Sequence, residues 1–494
     1  MNKLLINLKL EKYKSYIIQV GMNITVLLIF WGGMLRKSFN ADTVSHMVSN
    51  NADVLWNISD GRYGIALMDA VLLKFGIRIT DNLSVTTLLT FFFLAAVMLI
   101  IQNMFKEWQP KEKWSQIGFF CGVNLVFINV LFAEVLMFGE CCFYFAIGYL
   151  LAALGIKRLA KKKIISSFFL FGFAVCTYQY TMIFAAILIA FLLCLRYQEE
   201  LSLKAVKGEL LGVFFCLGIG GLNYLSIKVM QKMGVINRFN KDVGAGNVEQ
   251  KIKELVESFI DLNRNSLEIL PNLWVPLLFI AGVFSLLIYS CVKENKIKKI
   301  IFIVIVFAGS VVLLYGIPVV QAKFNFPPRM AFCYYLVQGL LVVVAYAVSP
   351  LKVQKLLSFL CVGYVIVQFL FADFVVTNHF VSNTLDEVYT NMAYQEILKY
   401  EKETGIEITK ISVYKDAYAP DSYEEVNYHV HQINERALGT VTVSLLQKIS
   451  GRYFEKIENQ EEIYNEYFKD KDWDYFDLSE QLVIIGDTVY WCIF

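Results

Sequence analysis

Near-continuous apolar runs recur along this chain at 16–34, 83–104, 115–132, 142–156, 164–177, 181–195, 209–227, 272–291, 300–317, 331–348 and 356–373. Many reach the 17 to 25 residues or so that a helix needs to cross a hydrocarbon core. A segment inside a bilayer must satisfy its own backbone groups, so each run is expected to be helical. The stretch 164–195 is about twice a spanning length and is interrupted by Thr177-Tyr178-Gln179-Tyr180, which predicts two short helices turning at the far face. The fold class that follows is an α-helical polytopic membrane protein with about eleven transmembrane helices. Composition agrees: 57% of residues are hydrophobic and 18% charged, against roughly 45–50% and about 25% in an ordinary soluble domain.

Charge narrows the function further. Forty-five Lys and Arg against 43 Asp and Glu leave a formal +2, with no basic field to hold a nucleic acid. Most of the ten cysteines lie in or beside apolar runs and read as small buried hydrophobes, and no Cys/His spacing resembles a zinc site. The first run imitates a signal peptide after Lys3, Lys9, Lys12 and Lys14. It is too long for an h-region and ends in Leu35-Arg36-Lys37 with no small-residue cleavage site, so it reads as an uncleaved span.

Basic residues concentrate in alternate short turns: Lys106, Lys111 and Lys113; Lys157, Arg158 and Lys161 to Lys163; Arg196, Lys204 and Lys207; Lys293, Lys296, Lys298 and Lys299; Lys352 and Lys355. That bias places those turns and the N-terminus in the cytoplasm. An odd number of spans then puts loops 35–82, 133–141, 228–271 and 318–330, together with the polar tail 375–494, outside it. Two domains are expected, a membrane body over 1–374 and an extracytoplasmic α/β domain over 375–494. Within the loops, 61–76 and 248–270 read as helices lying in the interface. In the tail, 386–404 and 434–450 read as helices, 406–414 as a strand, and 482–485 with 488–494 as a closing pair around Gly486-Asp487. No internal repeat of the transporter kind is evident.

The first loop carries the densest chemistry. Asp42, in Asn40-Ala41-Asp42, follows the first span by about eight residues, which suits a general base at the membrane surface; the same spacing also suits a helix N-cap. Trp56 offers an aromatic face for a sugar, Asp60 a second carboxylate, and Arg62, beside Tyr63, a guanidinium that grips phosphate through paired donors. Arg329, after Pro327-Pro328, stands at the exterior end of a span as a second phosphate clamp or as a snorkelling anchor. Glu134 and Glu140 flank a short turn close to the apolar zone, where carboxylates are costly unless paired or wet, and are candidates to face substrate. Tyr178 and Gln179 sit at a helix break, where they bind glycan or satisfy freed backbone groups. His429-Val430-His431 places two imidazoles on one face of a strand with no evident third ligand, so no metal site is assigned.

Asn40-Ala41-Asp42, Trp56 and Gly61-Arg62-Tyr63 together resemble the opening of the glucosyltransferase II family, the Gtr type of serotype-converting O-antigen glucosyltransferases. Tyr178-Gln179, Pro328-Arg329 and the tail segment Leu445-Leu446-Gln447-Lys448-Ile449-Ser450-Gly451-Arg452 are similar to that family's later landmarks. The resemblance implies a GT-C-type fold, a catalytic acid in the first exterior loop (here Asp42), and a polyprenyl-phosphate sugar, usually glucose, as donor. It also implies transfer to a cell-surface glycan such as O-antigen or cell wall, outside a bacterial plasma (inner) membrane. Asn40 stands where that family often has a first acidic residue, which leaves the need for a divalent cation open. The alternatives are a transporter or flippase for lipid-linked glycans, and a glycan-repeat polymerase. A transporter should carry its ionisable residues at mid-membrane, whereas here they gather at one face.

Overall fold

The computed structural model describes residues 2–36, 38–49, 52–200, 202–235, 247–321, 324–415, 433, 436–469, 471 and 476–493. His429 and His431 lie outside the described residues. The chain starts with α1 (Asn2–Trp31), and the first loop folds into α2 (Ala41–Val48), α3 (Ala52–Ser59) and α4 (Tyr63–Lys74). The body continues through α5 (Leu83–Met104), α6 (Lys113–Asn124), α7 (Phe132–Met137), α8 (Cys142–Ala160), α9 (Ile164–Thr177), α10 (Thr181–Glu200) and α11 (Leu203–Lys232). It closes with α12 (Val248–Asn265), α13 (Val275–Lys293), α14 (Ile297–Leu314), α15 (Gly316–Val320), α16 (Pro328–Ala331), α17 (Cys333–Val348) and α18 (Leu351–Thr404).

Among the described residues, eight helices are long and apolar enough to cross a membrane, and α9 and α10 are shorter apolar helices. The eleven expected runs all contain helix, but 115–132 is not one continuous helix. It is α6, then turns over 125–131, then α7. This irregular segment is tolerated inside the body because its backbone groups find partners. Asn129 donates to the carbonyls of Leu125 and Val126 at 2.9 Å each, the Trp31 indole donates to Phe127 O at 2.8 Å, and Gln368 accepts from Val130 N at 3.1 Å.

The tail begins inside α18, whose 54 residues make a rod of about 80 Å at 1.5 Å per residue. The expected boundary at 374/375 and the separately expected helix 386–404 both fall within it. Beyond α18 come β1 (Lys410–Lys415), α19 (Ala437–Ser450), β2 (Glu455–Lys456), α20 (Glu461–Tyr467), α21 (Leu478–Gln481), β3 (Leu482–Ile485) and β4 (Thr488–Ile493). The sheet order is β2-β1-β4-β3. β1 and β2 are parallel and joined through α19, as a parallel pair requires. β3 and β4 form the expected hairpin in register Ile485↔Thr488, where Gly486 takes φ +62° to close a two-residue loop.

Three apolar cores result: one within the helical body, the main tail core, and a small cluster of Tyr414, Phe468, Tyr490 and Cys492 on the other face of the sheet. The tail core contains two residues from the other end of the chain: Phe39 and Val44 pack with Ile397, Ile411, Leu438, Leu445 and Trp491.

Candidate active site

The acidic half of the site is built on α2. Its N-cap is Asn40, in extended conformation, whose Oδ1 accepts from Thr43 N at 2.8 Å. Asn40 thus takes the capping role that Asp42 offered, and Asp42 stands half-buried in the first turn, with His46 one turn on. The far end of α2 is held by Arg78, whose Nη2 donates to the carbonyls of His46, Met47 and Ser49 at 3.0, 3.3 and 3.1 Å. Trp56 packs edge-on to His46 with ring centroids 5.9 Å apart. Thr43 Oγ1 donates to the buried Glu140 Oε2 at 2.5 Å, joining α2 to the turn before α8. Burial pushes the Glu140 carboxyl above its ordinary range; His46 opposes that shift and Asp42 adds to it. Glu140 therefore favours the neutral acid beside a second carboxylate.

The cationic half begins where α3 ends. Gly61 adopts φ +73°, with Gly61 N donating to Ile58 O at 3.0 Å and Arg62 N to Asn57 O at 2.8 Å. That pair of bonds is a Schellman closure, which an L side chain disfavours at this position. The turn is pinned from the α9–α10 turn and from α11: Gln179 Nε2 donates to Asp60 O at 2.7 Å and Asn223 Nδ2 to Gly61 O at 3.1 Å. The Arg62 side chain is 15% exposed. It lies 5.6 Å over the Phe145 ring and 3.7 Å from Asp60 Oδ2, and its buried Nε has no partner among the described residues. Tyr63 meets Ser226 Oγ through its hydroxyl at 3.2 Å.

Arg329 enters the same half from α16, which Pro328 starts at a position where its missing N–H costs nothing. Glu134 accepts twice from it, from Arg329 N at 2.6 Å and Nη1 at 2.9 Å, and the glutamate side chain is fully buried. Tyr178 donates to Arg329 O at 3.0 Å and stacks on Phe145 at 4.2 Å. Burial pushes the Tyr178 phenol up, so it stays a neutral donor, within electrostatic range of both guanidinium groups.

Between these elements lies a cavity of about 420 Å³. Asp60, Arg62, Tyr178, Gln179 and Arg329 line it, as does Lys228. Met182, Gly220, Gly221, Ile227 and Ile317 give it an apolar floor. Of the other residues singled out from sequence, Glu134 lies behind Arg329. Glu140 is in electrostatic range of both Asp42 and Arg62. Trp56 packs on His46 in the acidic half and Tyr63 meets Ser226 of α11; neither lines the cavity. Sequence reading passed over Asn223, Lys228 and Gln231, polar positions in the last turns of α11, and Asp69, which accepts from Tyr144 and Asn57. A lone carboxylate inside the apolar stretch 61–76 was the available signal for Asp69. Among the described residues, no group of three His, Cys, Asp or Glu is placed to hold a metal ion.

Fold and site together define a multi-pass membrane protein in which an acid cluster adjoins a two-arginine cavity with an apolar floor. The family model for glucosyl transferase GtrII matches residues 33–346, and the chain belongs to that family. The matched range takes in the first loop, both arginines and the cavity wall. Searches of curated proteins and of solved structures find no match. The protein is a membrane glycosyltransferase of the glucosyl type.

Proposed function

We propose that the protein moves a glucosyl group from a polyprenyl-phosphate donor to a cell-surface glycan on the extracytoplasmic face of a bacterial plasma membrane, in a GT-C-type mechanism. The observation that carries this reading is Arg62: a largely buried guanidinium with an unpartnered Nε, sharing a cavity with a second arginine, fits the monoanionic phosphodiester of such a donor and the dianionic phosphate monoester that departs from it. The apolar floor suits the first isoprene units. It meets, at Gly316, a second groove of about 380 Å³ lined by Leu255, Val256, Phe259, Val311, Val312 and Val319. The basic bias of the opposite turns supports the orientation.

In the transfer, the acceptor hydroxyl oxygen attacks the anomeric carbon. Asp42 takes the hydroxyl proton while the bond from that carbon to the phosphate oxygen breaks, and polyprenyl phosphate leaves with the electron pair. Arg62 and Arg329 stabilise the charge that grows on the departing phosphate. The test is transfer of label from radiolabelled polyprenyl-phosphate glucose to surface glycan in membranes carrying the wild-type protein or Asp42→Asn. Label that depends on the protein and falls at least about 100-fold with Asn supports the reading. Transport of the intact lipid-linked sugar without transfer would replace it by the flippase alternative.

A further inference from the structure

The catalytic helix of the proposed mechanism is shared between two bodies. Residues two apart on a helix point about 200° apart, so Val44, fully buried in the tail core, and Asp42 lie on opposite sides of α2. One face of α18 carries His379, Asn383 and Asp386, which are 1%, 3% and 0% exposed. His379 Nε2 meets Ser38 Oγ at 2.8 Å. Asp386 Oδ2 accepts from Ala437 N, at the start of α19, at 2.8 Å. Between them Asn383 forms a two-bond fork on a single residue: its Oδ1 accepts from Phe39 N at 2.9 Å and its Nδ2 donates to Phe39 O at 2.8 Å. Lys448 of α19 covers the Phe39 ring at 3.8 Å and also pairs with Glu387 of α18 at 3.2 Å. The backbone one residue before the Asn40 cap and three before Asp42 is thereby fixed by an amide 344 positions away.

We propose that Asn383 is a positioning residue for the transfer: it clamps the entry to α2 onto α18, so that the tail domain sets where the Asp42 carboxylate stands relative to the donor cavity. This inference rests on Asp42 being the base. The donor site is built by other elements, α4, α9–α11 and α16, and does not need the clamp. Loss of the fork therefore acts on kcat and spares donor binding.

The experiment uses the full-length protein in detergent with short-chain polyprenyl-phosphate glucose as donor, and compares Asn383→Ala with Asn383→Asp, which keeps the acceptor and loses the donor half of the fork. Each is made in the wild-type and the Asp42→Asn backgrounds. In the wild-type background kcat should fall in the order Asn, Asp, Ala, by about tenfold or more for Ala, the scale of a misplaced catalytic group, while donor KM stays within about threefold. In the Asp42→Asn background the same changes should cost less than about threefold, because residues that act as a unit are non-additive. Equal losses in both backgrounds, a rise in donor KM at unchanged kcat, or wild-type kcat in both variants would each overturn the clamp. If Asn383→Ala does not accumulate, the Asn383→Asp pair decides by the same criteria. Asp42→Asn alone, if fully active, removes the base assignment itself; a slow Asp42→Asn with normal Asn383 variants removes only the clamp.

Discussion

The acidic and cationic halves of the site are built by opposite rules. Around Asp42 the scaffold is over-determined: α2 is capped by Asn40, gripped at its far end by Arg78, bonded to Glu140 through Thr43 and backed by the tail core. Around the cavity one arginine is matched and the other is not. Arg329 has its charge met by the fully buried Glu134, whereas Arg62 reaches Asp60 only at 3.7 Å and keeps a buried Nε without a partner. The proton acceptor we propose works by placement, and its surroundings are fixed from several sides. The anion site we propose needs unspent donors, and Arg62 Nε is one.

The sharpest break in this comparison is Asp42→Asn. Asn cannot accept the hydroxyl proton but keeps the size and the first-turn position, so transfer should fall roughly 100-fold or more with thermal unfolding of the solubilised protein unchanged. Near-normal transfer would make the acidic half structural.

Next in size is Arg62→Lys, which keeps the charge and loses the planar fork. Donor kcat/KM should fall by about 10- to 100-fold, hydrogen bonds to charged groups being worth about 1.5–3 kcal/mol. Arg329→Lys should cost less, about tenfold at most, because part of that guanidinium is already committed to Glu134. If titration of transfer rate against donor ranks the two variants in the reverse order, Arg329 is the main clamp and the matched/unmatched distinction is wrong.

The smallest effect concerns Glu140. Its folded carboxyl is raised by burial, so the stability it contributes is present at low pH and is lost as pH rises through the raised value. Glu140→Gln mimics the neutral acid and has no such loss. Its melting temperature relative to wild type should therefore climb as pH rises, by a few degrees, with transfer little changed at acidic pH. A melting difference that is flat with pH would mean that Glu140 is ionised throughout.

Much of this was legible in the sequence, and the parts that were not share a physical reason. The apolar runs other than 115–132, the helix within 61–76 and the β3–β4 hairpin are local signals, and each formed where expected. The Gly61 turn was not read from sequence, although a left-handed residue whose Cβ would run into the Ile227 side chain calls for glycine. The break in 115–132 was hidden because Asn129 repairs the backbone by bonds that periodicity does not register. The union of 356–373 with 386–404 was hidden by polar residues that read as a domain boundary and in fact face the first loop and α19. Cavity positions on α11 were overlooked because Asn223, Lys228 and Gln231 look like the fraying end of a span. The Asn383–Phe39 fork joins residues too far apart for any spacing argument to connect.

That same fork sets a schedule for the ribosome. Phe39 and Val44 are made early, but their packing partners Leu438 and Leu445 follow roughly 400 residues later, a delay of about 20–80 s at 5–20 residues per second. Throughout that interval the first loop has no tail core to join, and α2, two turns of helix too short to persist alone, is held by its Asn40 cap, by Arg78 and, once they are made, by Glu140 and Asn383. A chain cut short before α19 should insert its spans and leave Val44 without its packing partners, so transfer waits on the tail core that backs α2.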